Sequence, residues 1–102
     1  MIAELWVIGH AGEAEKGKDI VCAAVSAIVL TFTNWISKKA KERKSVWSYV
    51  SDIQEGLADI YCSAEADKDM LFNAFEMAVD GLECIAKQCP EYVTIEERSI
   101  HD

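Results

Sequence analysis

The chain is 102 residues long, enough for one domain with a real core and too short for two. Half of it is apolar (51%) and 27% is charged, an ordinary globular mixture with no low-complexity tract and no internal repeat. The formal charge of −8 is uneven: residues 1–51 carry 7 basic and 5 acidic side chains, net +2, and residues 52–102 carry 3 and 13, net −10. That balance argues against nucleic acid as a direct partner, because such binding rests on Lys and Arg neutralising phosphates; it leaves solubility or a basic partner as its purpose.

In chain order, Ile2 to Ile8 is a short apolar run and reads as a strand. It contains Glu4 and lacks a basic leader, so it does not read as a signal peptide. Gly9 to Lys18, with three glycines and several charges, reads as a turn or loop. A helix is predicted from Asp19 to Arg43, with Asp19 as its N-cap. Its stretch from Ile20 to Phe32 is apolar almost all round, which predicts a helix central to the core. That run falls short of the roughly 18–20 residues a bilayer span requires. A cytoplasmic protein with no membrane partner is the expectation. The basic run from Lys38 to Lys44 suits a solvated helix end favoured by the helix dipole, with RNA contact as the other reading.

Val46 to Ile53 and Leu57 to Ser63 read as two strands of a hairpin turning at Gln54-Glu55-Gly56. A second helix follows from the spacing of Leu71, Phe75, Ala78, Leu82, Ile85 and Cys89, with Asp67 and Asp69 at its start and Pro90 closing it. Tyr92 to Ser99 is a last strand, with Val93 and Ile95 on one face. The order is β-α-β-β-α-β, an α+β domain with two helices on one face of a small, mainly antiparallel sheet.

Four cysteines, Cys22, Cys62, Cys84 and Cys89, form no CxxC pair, and His10 and His101 lie near opposite ends. Metal-ligand spacing is therefore weak, and neither a metal nor a cofactor is expected. Cys62, Cys84 and Cys89 read as small buried hydrophobes with reduced thiols.

The stretch from Gly9 to Ser26 places one histidine and one cysteine twelve positions apart. If Asp19 caps the helix, Cys22 falls in its first turn, where backbone N–H groups lack intrahelical acceptors and favour a thiolate. His10, at the strand end, is then placed to serve as general base and acid. The same first-turn N–H groups become candidates to stabilise an oxyanion. Asp19 has a second reading, as the group that orients His10. Ser26, four residues after Cys22, shares its helical face and either helps place thiol or substrate or bonds back to the carbonyl of residue 22. Residue pattern alone leaves open a structural cysteine beside an unrelated surface histidine.

Gly9-His10-Ala11, then Gly17 in a short loop, then Asp19-Ile20-Val21-Cys22-Ala23-Ala24-Val25-Ser26 together resemble the signature of the ribosomal-processing cysteine protease family, Prp. The resemblance covers most of the chain, weakly from Lys38 to Ala66. It implies a homodimeric α+β endopeptidase that removes the N-terminal extension of a large-subunit ribosomal protein precursor. It gives His10 and Cys22 as the catalytic pair, with Gly9, Asp19 and Ser26 supporting the site. The chain departs from the family pattern in two places: only eight residues precede Gly9, where relatives carry a further strand and turn, and Glu13 stands where an aromatic residue is common. Two other classes remain at this level. One is a catalytically impaired ribosome-assembly or interaction protein of the same fold. The other is a thiol redox protein using Cys22, which the lack of a neighbouring resolving cysteine counts against.

Overall fold

Alternate residues of the first strand point to opposite faces, and this sets up the molecule. In the computed structural model, which describes residues 1–9, 16–42, 47–54 and 57–101, Ala3, Leu5 and Val7 are buried while Glu4, Trp6 and Ile8 lie on the opposite face. This strand is β1 (Ile2–Gly9), followed by α1 (Lys16–Glu42), β2 (Trp47–Gln54), β3 (Leu57–Ala64), α2 (Lys68–Gln88) and β4 (Val93–His101). The strands form one four-stranded sheet in the order β2-β3-β1-β4, and every neighbouring pair is antiparallel. This is the split β-α-β arrangement, in which each helix links strands that are not neighbours. The expected α+β class, element order and antiparallel sheet are all observed.

Register explains why one face is the core. Ala3, Leu5 and Val7 stand opposite Cys62, Ile60 and Ala58 of β3, so buried side chains meet across the ladder. A bulge between Trp6 and Val7 shifts the β1–β4 pairing, so that Trp6 meets Glu97 and Val7 meets Ile95. Both helices pack on this face. Val29, Phe32 and Ile36 of α1 and Leu71, Phe75, Val79 and Leu82 of α2 join the strand residues in a single apolar cluster. Phe32 and Phe75 meet edge to face, with ring centroids 6.0 Å apart. Arg98 of β4 pairs with Glu76 and Glu83 of α2 and ties that strand to the helix above it.

Several details depart from the sequence reading. The helix α1 begins at Lys16 and ends at Glu42, so Asp19 lies inside it and is not an N-cap. Gly17 is likewise helical and does not belong to a turn. The helix is not central to the core: it buries a stripe through Val21, Val29, Phe32 and Ile36 and leaves Ile20 and Leu30 exposed. From Ile20 to Glu42 it is long and apolar enough, by length and composition only, to cross a membrane, and 28% of its most apolar window is buried. On α2 the fully buried position is Val79, with Ala78 only partly covered, so the stripe is rotated slightly from the expected one. Asp67 makes no side-chain cap. It adopts a left-handed backbone (φ 56°), a region Asp tolerates better than most residues, and its carbonyl accepts the Met70 and Leu71 N–H groups. The chain leaves α2 through the Cys89 N–H bonded to the Ile85 carbonyl, just before Pro90. The proposed turn at Glu55-Gly56 lies outside the described residues, although the two strands it joins pair as expected.

Candidate active site

Two elements converge at one end of the sheet. The strand β1 ends at Gly9, opposite Val93 at the start of β4, and α1 passes over this end carrying Val21, Cys22, Val25, Ser26 and Val29 along its early turns. Between them is a cleft of about 140 Å³ lined by Cys22, Val25, Ser26 and Val29 from the helix and by Val7, Ala58 and Val93 from the sheet. Ile53 and Leu57, at the closed end of the β2–β3 hairpin, complete its wall. The lining is mostly hydrocarbon, with the Cys22 thiol and the Ser26 hydroxyl as its reactive and polar side chains. A larger apolar groove of about 420 Å³ lies between α1 and α2, and among the described residues no cysteine, serine or titratable side chain lines it.

Cys22 is exposed at the cleft and carries a free thiol. It is the seventh residue of α1, not the third, so its N–H belongs to the hydrogen-bonded body of the helix. Unsatisfied first-turn N–H groups are therefore not available at Cys22, and the expected helix-terminal stabilisation of a thiolate and an oxyanion does not hold in that form. Ser26 is exposed one turn later on the same face. Among the described residues its hydroxyl makes no bond back to the Cys22 carbonyl. Thr31 and Thr33 do make such bonds, to Ala27 at 2.6 Å and Val29 at 3.0 Å. The Ser26 hydroxyl is thus left to the cleft.

Gly9 lines the cleft from the strand side. A Cβ there would meet the Tyr92 carbonyl at 3.6 Å, an ordinary contact, so the backbone does not demand glycine at this point. His10 and Glu13 lie outside the described residues, and of Asp19 only the helical backbone is described. The structure therefore brings Gly9, Cys22 and Ser26 to one cleft.

Of the other cysteines, Cys62 is wholly buried in the sheet core, and burial pushes its thiol from 9.0 up to about 12. Cys89 is partly buried. Cys84 is exposed on α2, not buried as expected, with the Gln88 amide nitrogen 3.4 Å from its sulfur.

The family model described as "Cysteine protease Prp" matches residues 1–94, nearly the whole chain. The chain belongs to the Prp cysteine protease family. It is 32% identical over 94 residues to the ribosomal processing cysteine protease Prp of Mycoplasma genitalium, covering 89% of this chain and 84% of that protein. The crystal structure of SMU.848 from Streptococcus mutans has a similar fold, with a TM-score of 0.57 at 25% identity over 90% of this chain and 89% of that one. The Prp resemblance carried by the Gly9–Ser26 stretch thus holds for the chain as a whole, and a cysteine protease is the activity class to which it belongs.

The sequence reading identified the helix side of this cleft and missed its sheet side. Val7, Ala58 and Val93 were legible only as core positions, because alternation reports which face a residue takes and not which end of the sheet stays open. Ile53, 45% exposed on the same face, marks that open end in the structure, and its exposure had no signal in the sequence.

Proposed function

We propose that the protein is the endopeptidase that removes the N-terminal extension of a large-subunit ribosomal protein precursor, with Cys22 as nucleophile and His10 as general base and acid. The observation that carries this reading is the exposed Cys22 thiol standing over an apolar cleft, in a chain that matches the Prp family from residue 1 to 94. The Cys22 sulfur attacks the scissile carbonyl carbon, and the C–N bond breaks as His10 donates a proton to the departing amine. The extension is left as a thioester on Cys22, and water, activated by His10, releases it. Ser26 donates its hydroxyl into the cleft to position the substrate or the developing oxyanion, and Asp19, inside the helix, supports the His10 side of the site.

The cleft gives a reading of the substrate. A cavity of about 150 Å³ accommodates benzene in an apolar protein interior, so the space beside Cys22 suits one apolar side chain of leucine or phenylalanine size. The acidic second half of the chain suits a basic ribosomal substrate by charge complementarity. In this reading the protein works in the cytoplasm as a homodimer, without cofactor and without direct nucleic-acid contact. The groove between the two helices, with Met77 exposed at 76%, offers apolar surface for the second copy.

The test is cleavage of the ribosomal precursor, read by mass spectrometry, with the parent protein and its Cys22→Ala and His10→Ala variants. Cleavage at one bond by the parent, reduced by roughly 10³-fold or more in each variant, is the expected result. A Cys22→Ala protein that cleaves at the parent's rate would remove this mechanism.

A further inference from the structure

Both helices lie on one face of the sheet, and among the described residues no element covers the other. Register assigns that open face. Its central row runs Asp52, Asp59 and Trp6 across β2, β3 and β1, and the next row places Tyr61 opposite Glu4. No lysine or arginine occupies any position of the four strands on this face, and the chain's strand arginine, Arg98, is turned to the helix side where it pairs with α2. Trp6 and Tyr61 are partly exposed, and the Trp6 indole N–H donates to the Glu4 carboxylate at 2.9 Å, which fixes the ring on the face.

We propose that this open face docks a lysine- and arginine-rich segment of polypeptide. Aromatic faces attract ammonium and guanidinium groups, and carboxylates around them complete the match. Two other occupants fit poorly. Nucleic acid would bring phosphates against carboxylates. A second copy related by a two-fold axis would set the face against itself and oppose carboxylate to carboxylate. The face and the Cys22 cleft share one end of the sheet, where Leu57 follows the hairpin and Gly9 ends β1. A few residues of extended chain therefore lead from the cleft round this end to Trp6. That the docked segment is the basic part of the substrate rests on the protease reading above; the docking itself does not.

Binding is measured first by fluorescence anisotropy with a fluorescein-labelled oligo-arginine peptide and Cys22→Ala protein. Two double variants remove the same charge from different faces: Glu4→Gln with Asp52→Asn on the open face, and Asp69→Asn with Asp80→Asn on α2. The proposal expects the first pair to weaken binding by about fivefold and the second by less than about twofold. Trp6→Phe, which keeps a ring and loses the indole N–H, is expected to weaken it less than Trp6→Leu. Equal weakening by both double variants, or no binding by the parent, would overturn the proposal. A change of oligomeric state in Glu4→Gln/Asp52→Asn would assign the face to a second copy and overturn it as well. With the ribosomal precursor, the same open-face pair should raise KM at unchanged kcat. Face-specific peptide binding without any precursor cleavage by the catalytically intact protein would uphold the docking and remove the protease reading instead.

Discussion

Cys22 and Cys62 are thiols of one chain in opposite surroundings. Cys22 is exposed at the mouth of an apolar cleft. Cys62 is 0% exposed, packed in the central strands, and its thiol is pushed up to about 12 because burial penalises the thiolate. The thiolate is the form that reacts with alkylating reagents. Iodoacetamide at mildly alkaline pH is therefore expected to label Cys22 and Cys84 in the folded protein and to spare Cys62, as peptide mapping will show. The same shift has a stability consequence. The folded state holds the Cys62 proton more tightly than the unfolded chain, so this contribution is complete below 9.0 and is lost as pH rises from there through about 12. Denaturant midpoints measured across that window should fall with pH in the parent and fall less in Cys62→Ala, after allowance for that variant's lower baseline. The burial of Cys62 was read correctly from the sequence, but Cys84 and Cys89 read like it, and Cys84 is exposed. Whether a cysteine on an amphipathic helix sits in the stripe or beside it depends on a rotation of a few tens of degrees, and Cys84 falls on the exposed side.

At the scale of elements, Gly81 of α2 faces Ile28 of α1. A Cβ built there would come within 3.1 Å of the Ile28 Cδ1, the far end of a flexible side chain. Alanine gains up to about 1 kcal/mol of helix propensity over glycine, and a shift of the Ile28 methyl by a few tenths of an ångström relieves the contact. Gly81→Ala is expected to be neutral or stabilising. Gly81→Val adds two further methyls beside Ile28 and should cost about 1–3 kcal/mol. Thermal or urea unfolding of the pair checks the order, and a Gly81→Ala protein less stable than Gly81→Val would contradict it. Strands and helices were legible from local signals: a short apolar run gave β1, aromatic and β-branched residues gave β2 and β3, and the spacing of Leu71, Phe75 and Leu82 gave α2. The start of α2 was legible too, with Asp67 and Asp69 at it, although Asp67 meets the first-turn N–H groups with its carbonyl and not its carboxylate. The start of α1 was not: Asp19, read as its N-cap, is inside a helix that begins three residues earlier. Cap preferences say which residues suit a helix start but do not choose among several within one turn.

For the whole molecule, the layered arrangement separates chemistry from charge. The thiol cleft opens between the helix layer and one end of the sheet, while the open sheet face carries acidic and aromatic side chains and, among the described residues of its strands, no lysine or arginine. The −10 balance of residues 52–102 was read from sequence as a property of half the chain. Only the strand order β2-β3-β1-β4 shows that Glu4, from the other half, joins those acids on one surface. A long-range electrostatic attraction for a basic substrate follows. It is screened as the Debye length falls from about 10 Å at 0.1 M salt to about 3 Å at 1 M. Over that range kcat/KM for the ribosomal precursor should fall mainly through KM, and for a short uncharged peptide spanning the same bond it should change little. Equal salt dependence of the two substrates would contradict an electrostatic role for the acidic surface.

The central claim is that Cys22 carries the substrate's acyl group. The most direct measurement is intact-mass spectrometry of the protein, acid-quenched during turnover of the ribosomal precursor, followed by peptide mapping. The account predicts a transient adduct with the mass of the released N-terminal extension less one water, located on the peptide that contains Cys22 and absent in Cys22→Ala. Cleavage of the precursor with no such adduct, and with Cys22→Ala cleaving at the parent's rate, would contradict it.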